Sequence, residues 1–214
     1  MDTLEPLLAE ALKREGLHSL QGRTGLLREL MIWSKEDSRQ MLVTLPEQQQ
    51  NVKVELLDGF TSLGWSEFAT CGRASTGGWT TDDALFAVIP RYESLDGEEF
   101  RVSFLGHEAQ HFADKARFKD LQSWELEFRA KLTELAQADQ TRSKVLGKFI
   151  QDQGDDPGSP HSFANRRVLA GLVSRLGVAG ADALGSADPA KLQSAALAML
   201  REDTARRISA QKGR

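Results

Sequence analysis

At Asp96 the hydrophobic period of this chain passes from that of short strands to that of helices, and the switch limits the folds open to it. Upstream, MLVTLP (41–46), NVKVELL (51–57) and ALFAVIP (84–90) are short apolar runs bounded by Pro, Gly and polar residues. They read as strands, the first two joined as a hairpin across PEQQQ, with the turn-rich RASTGGWTTDD ahead of the third. Downstream, DGEEF supplies acids for a first helical turn, and Phe100, Phe104, Leu105, Glu108, His111 and Phe112 recur at spacings of three and four. A second helix is expected over 121–138 with Asp120 as its N-cap, then a loop over 151–160, a helix from Pro160 toward Leu176 and a last one from Pro189. Before the strands, Leu4, Leu7, Leu8, Ala11 and Leu12, and again Leu26, Leu27, Leu30 and Met31, are spaced as helices on either side of Gly22 and Gly25. Helices, a small mainly antiparallel sheet and then helices, without βαβ alternation, predict an α+β fold. A single domain over 1–214 is expected, with 141–214 as a helical C-terminal extension.

Inside the first helix of the second half, SFLGHEAQHFADK places His107 and His111 four positions apart with Glu108 between them. Four residues are about one helical turn, so both rings face one point and a single ion can take a nitrogen from each. Glu108 projects to the same side. In such an arrangement the glutamate is the general base toward a water that the metal activates. The alternative is an amphipathic helix that merely carries two histidines.

The composition narrows the partners. Hydrophobic residues make up 40% and charged residues 27% of 214, which is ordinary for a folded soluble chain. A formal net charge of −4 gives no field to attract a phosphate backbone, despite the basic RRISAQKGR at the end, so nucleic acid is not expected as a partner. Nothing approaches the ~20 apolar residues of a membrane span, and the N-terminus has no unbroken apolar core of a signal peptide. Cytoplasmic localisation is the expectation, with an export signal lying ahead of this sequence as the alternative. Cys71 is the only cysteine, which excludes an internal disulfide; it is expected to be a buried structural thiol.

The strand ALFAVIP followed by an HExxH helix resembles the zinc metallopeptidases known as zincins, over roughly residues 84–134. The resemblance implies a Zn2+ cofactor, a peptide or protein substrate, and ALFAVIP as the counterpart of the strand that lies antiparallel to bound peptide. Metzincins continue the motif as HExxHxxGxxH; here position 114 is Asp and position 117 is Arg, so that branch is excluded. Gluzincins take a glutamate from the next helix within a run similar to EFxAD, and Glu127-Phe128-Arg129-Ala130-Lys131 matches it except for Lys131. That similarity makes His107, His111 and Glu127 the metal ligands and Glu108 the base. Because Lys131 replaces the usual Asp, Asp114 is the candidate to orient a ligating histidine. The same resemblance offers His161 as a stabiliser of the oxyanion, against the plainer reading of a surface histidine near a helix start. Tyr92, just after the strand, is a weaker candidate, and His18 reads as a surface residue of the N-terminal helical region.

Geometry bears on Glu127 separately. In an unbroken helix it would lie about 24 Å from His111, at ~1.5 Å per residue. A helical hairpin centred near Lys119 instead brings 111 and 127 opposite each other, while Glu125 and Glu134 fall beside 113 and 104, off the site. The alternative for Glu127 is a solvated charge paired with Lys131. Peptide deformylases combine HExxH with an upstream cysteine, but FATCGRAS lacks their signature. Two further readings stay open: a non-catalytic zincin-like metal-binding or interaction module, and a helical binding protein with an accidental motif.

Overall fold

The structure, a computed structural model, describes residues 4–24, 27–73 and 75–213. It is α+β, with the strands in the first 88 residues and the long helices after 106. Backbone contacts gather the described residues into two compact units, one from Met1–Met41 and Lys53–Glu93, the other from Leu42–Val52 and Ser94–Arg214.

The first unit opens with α1 (Leu4–Arg14), whose leucine spacing forms the expected helix, although it buries none of its side chains. Its strands are β1 (His18–Thr24), β2 (Leu27–Trp33), β3 (Lys35–Thr44), β4 (Gln49–Asp58), the two-residue β5 (Ser62–Leu63), β6 (Gly78–Thr80) and β7 (Leu85–Val88), with a short helix α2 (Trp65–Ala69) after β5. β1, β2 and β5 form an antiparallel three-stranded sheet; a second sheet has the order β3-β4-β7-β6. The four residues between β3 and β4 are too few for a crossover, so these two pair as the expected hairpin. β4 and β7 run parallel, with Val54 opposite Leu85.

The helix expected from Leu27, Leu30 and Met31 is instead β2, while Leu26 lies outside the described residues. The pattern was ambiguous because Met31 and Trp33 also alternate, and it is this pair that enters a core with Leu57 and Val88, flanked by Trp79 stacked on Phe86. Cys71 is exposed at φ +52°, in the turn after α2, and so is not the buried thiol expected. His18 opens β1 rather than lying in a helical region; it stacks on Trp33 and sits 3.1 Å from Glu36. The Tyr92 hydroxyl donates to the Gly77 carbonyl at 2.9 Å, which ties down a turn of this unit.

The second unit is built around one helix. A π-helix (Glu99–Gly106) runs directly into α3 (His107–Arg117); α4 (Ser123–Gln137), α5 (Arg142–Gln151), α6 (Pro160–Leu176) and α7 (Pro189–Lys212) follow. Leu132 and Leu135 of α4 share a core with Val145, Phe149, Val168, Leu172, Leu192 and Leu200, so the helices after residue 141 bury the same apolar face that α4 presents. α6 and α7 begin at Pro160 and Pro189 as expected, and the Asp188 carboxylate caps α7 by accepting from the Lys191 N–H at 3.0 Å.

The remaining faces of α4 are polar and also buried. Arg129, 1% exposed, donates through Nε to Asp114 of α3 at 2.8 Å and through Nη1 and Nη2 to Asp203 and Thr204 of α7 at 2.9 and 3.1 Å. The Thr133 hydroxyl donates to Gln110 of α3 at 2.8 Å. The Thr204 hydroxyl also donates to Glu47, in the hairpin segment belonging to this unit, at 2.6 Å. Removing one member of a buried ion pair leaves the other desolvated and uncompensated, which costs more than the pair itself contributes. Arg129→Ala should therefore lower the unfolding free energy by about 3–5 kcal/mol in urea titration, because Asp114 remains buried without its cation while Asp203 keeps only Arg206 and Arg207.

Candidate metal centre

The centre is set by how α3 begins, ends and is answered by α4. Residues Phe104, Leu105, Gly106 and His107 are consecutive and all buried. The wider i→i+5 turn of the π-helix replaces the α-helix expected from Asp96 and leads into α3 at His107. A Cβ on Gly106 would stand 3.3 Å from Gln137 Oε1 and 3.4 Å from the Arg101 carbonyl, so a small residue is needed before the first histidine. Glu98, just ahead of the π-helix, accepts from the Asp139, Gln140 and Thr141 N–H groups and the Thr141 hydroxyl at 2.6–3.0 Å. Burial would raise its carboxyl, but those four donors pull it down to about 2. This anchors the start of the motif segment to the far end of α4.

α3 stops at Arg117; Phe118 turns extended, and its N–H still donates to the Asp114 carbonyl at 2.7 Å. The next helix is capped by Gln122 rather than Asp120. Gln122 has extended dihedrals, and Glu125, three residues on, accepts from its N–H at 2.9 Å, which starts α4 at Ser123. Both cross-links of the hairpin, Asp114–Arg129 and Gln110–Thr133, centre midway between Leu121 and Gln122 rather than near Lys119.

Glu127 and the two histidines come together between α3 and α4. His111 Nε2 is 3.2 Å from Glu127 Oε1 and His107 Nε2 is 3.4 Å from Glu127 Oε2; the histidine rings lie 4.9 Å apart. One donor atom from each of the three residues falls within 4.8 Å of the others, and each residue is 8% exposed. Two imidazole nitrogens and a carboxylate oxygen gathered this closely form a donor set that a zinc ion can take. Glu127 Oε2 and His111 Nδ1 are buried without a well-formed hydrogen bond. Three nitrogens, of His107, Lys131 and His161, nevertheless stand 2.9–3.5 Å from that oxygen, so its charge is already accompanied. Cys71 is not among the three converging residues.

The shifted hairpin also corrects two expectations. Glu134 does not fall off the site beside residue 104: its Oε2 lies 3.5 Å from His107 Nδ1, and it is 7% exposed. Asp114 is bound to Arg129 and faces away from this role. Glu125 is away from the centre, paired with Arg207 at 2.9 Å. Lys131, in place of the usual Asp, is buried; its Nζ is 3.5 Å from Glu127 Oε2 and 4.8 Å from the centre of the Phe149 ring. The Glu127–Lys131 pair is thus present, but inside the protein. His161, on the first turn of α6, brings Nδ1 to 2.9 Å from Glu127 Oε2 while its side chain stays 64% exposed, so it stands between the buried carboxylate and solvent.

Without a metal the site carries a proton instead. Burial alone would lower the His107 imidazole, but Glu127 and Glu134 on its two nitrogens push it up to about 10. Burial likewise would raise Glu127, yet His107, His111 and His161 hold it far below the usual carboxylate range. The folded-state value of His107 exceeds the unfolded value of ~6.5, so its contribution is complete below that pH and is lost as pH rises through about 10. Chelator-treated protein should therefore lose melting temperature between pH 7 and 10 in scanning calorimetry, and His107→Gln should flatten that slope.

Comparison of the chain with protein-family models, with curated proteins and with solved structures finds no match.

Proposed function

We propose that this protein is a zinc-dependent hydrolase, acting as a metallopeptidase. The observation that carries the reading is the convergence of His107, His111 and Glu127, one donor atom from each within 4.8 Å of the others, with Glu108 on the same helix immediately after the first of them. A carboxylate brought from a second helix to both rings is the third ligand that an HExxH pair needs.

Two neutral imidazoles and one carboxylate would hold the ion and leave a fourth position for water or substrate. Zinc, when bound, supplies a Lewis acid that polarises a carbonyl and acidifies water. Glu108 is half-buried, which suits a group that must meet both the centre and incoming water; its part is to take the proton from the attacking water and pass it toward the leaving amine. His161 has one nitrogen on Glu127 and the other toward solvent, which suits a donor to the developing oxyanion. The substrate class, a peptide or protein amide, rests on the zincin resemblance. No helix among the described residues is long and apolar enough to cross a membrane.

His107→Ala and His111→Ala should reduce bound zinc to background in elemental analysis. Glu108→Gln should retain one zinc and the fold, since a base is not a ligand, and should lose at least 99% of turnover on a quenched fluorescent peptide library, in line with the ~10²–10⁴-fold that general-base catalysis contributes. Full turnover in zinc-loaded Glu108→Gln would remove it from the mechanism. Stoichiometric zinc with no turnover in the wild type would support the non-catalytic module instead.

A further inference from the structure

Lys131 takes the place from which gluzincins orient a ligating histidine, and Asp114 is committed to Arg129 at 2.8 Å. Among the described residues, the carboxylate that stands against a histidine Nδ1 of the centre is Glu134. Glu127 and Glu134 are seven residues apart on α4, so they return to one face of the helix two turns apart. The His107 ring lies between them, with Nε2 at 3.4 Å from Glu127 and Nδ1 at 3.5 Å from Glu134. His107 is the only ion-pair partner found for Glu134 among the described residues, and a carboxylate 7% exposed is costly to keep without a cationic or donor neighbour. Nδ1 of His111, by contrast, is buried without a partner.

We propose that Glu134 is the positioning residue of the metal centre: it accepts the Nδ1 proton of His107, which fixes the tautomer that turns the Nε2 lone pair toward the ion. The inference rests on the proposed zinc site. A carboxylate held on the far nitrogen orients the ring and makes the near nitrogen a stronger donor, and losing such a partner typically weakens metal binding by about 10–100-fold. The role thus comes from seven residues after the ligand glutamate instead of four. The lysine at the fourth position is left to accompany the outer oxygen of Glu127.

The test is zinc affinity by competition with a chromophoric chelator, on full-length Glu134→Gln and Glu134→Ala, with Glu125→Gln as a control away from the centre. Glu134→Ala should weaken zinc binding by about 10–100-fold. Glu134→Gln, which keeps volume and an acceptor oxygen but no charge, should fall between it and the wild type, and Glu125→Gln should match the wild type. In ¹⁵N NMR of the zinc-loaded wild type, His107 should show a protonated Nδ1 whose resonance shifts in both Glu134 variants while that of His111 does not, a change that general loosening of the fold would not confine to one ring. Unchanged affinity in folded Glu134→Ala, or identical His107 resonances, would overturn the assignment. If His107→Ala also binds zinc as the wild type does, the metal site itself is wrong; if only the Glu134 variants are silent, the site stands and this inference fails.

Discussion

A guanidinium 1% exposed, set between Asp114 of α3 and Asp203 of α7, forces three helices to meet at one register. Burial works against the charge on Arg129, yet Asp114 and Asp203 raise its pKa further, so the cation persists inside the protein. Its fork of donors has fixed geometry, which makes it a stricter spacer than apolar packing. Arg129 is two residues after Glu127 and Asp114 is three after His111. When the first pair locks, the second is carried to within 3.2 Å. The chemistry of the centre therefore inherits its precision from an ion pair that contains none of the proposed ligands.

The same helix handles two kinds of charge in two ways. Toward α7, its arginine is matched by acids, and Asp203 in turn is shared with Arg206 and Arg207. Toward α3, Glu127 and Glu134 share the His107 imidazole, Glu127 also meets His111 and His161, and Lys131 is the permanently charged neighbour among the described residues. Buried negative charge in excess is unfavourable unless a proton or a metal ion joins it. A cluster of this sign is predisposed to take up a cation.

The α+β character, the β3–β4 hairpin, β7 and the starts of the last two helices were legible because each has a local cause: alternation, a short polar turn, or a proline at a helix start. So were the coming together of His107, His111 and Glu127, since a four-residue spacing and a hairpin need only helical geometry. Other features had no local cause. β3 begins at Lys35, six residues ahead of its first apolar residue, and those six are exposed. β2 carries a pattern that fits either period. The π-turn has no local signal, since Phe100, Phe104 and Leu105 are spaced as for an α-helix. α4 is central to the second unit, yet its sequence reads as polar because Glu127, Arg129, Lys131 and Glu134 find their partners on other helices. The misplacement of Glu134 follows from a shift of about two and a half residues in the hairpin centre, which the Asp114–Arg129 and Gln110–Thr133 cross-links fix.

The partners of Arg129 are also far apart along the chain: Asp114 precedes it by 15 residues, whereas Asp203 follows it by 74. Chains are synthesised at roughly 5–20 residues per second, so about 4–15 s separate the appearance of the arginine from that of its second acid. During that interval the α3–α4 hairpin exists with half its neutralising charge and with the apolar side of α4 uncovered by α7. A nascent chain would pass through a state that holds both histidines but not yet a fixed Glu127, and the order of manufacture places maturation of the centre after emergence of its last helix.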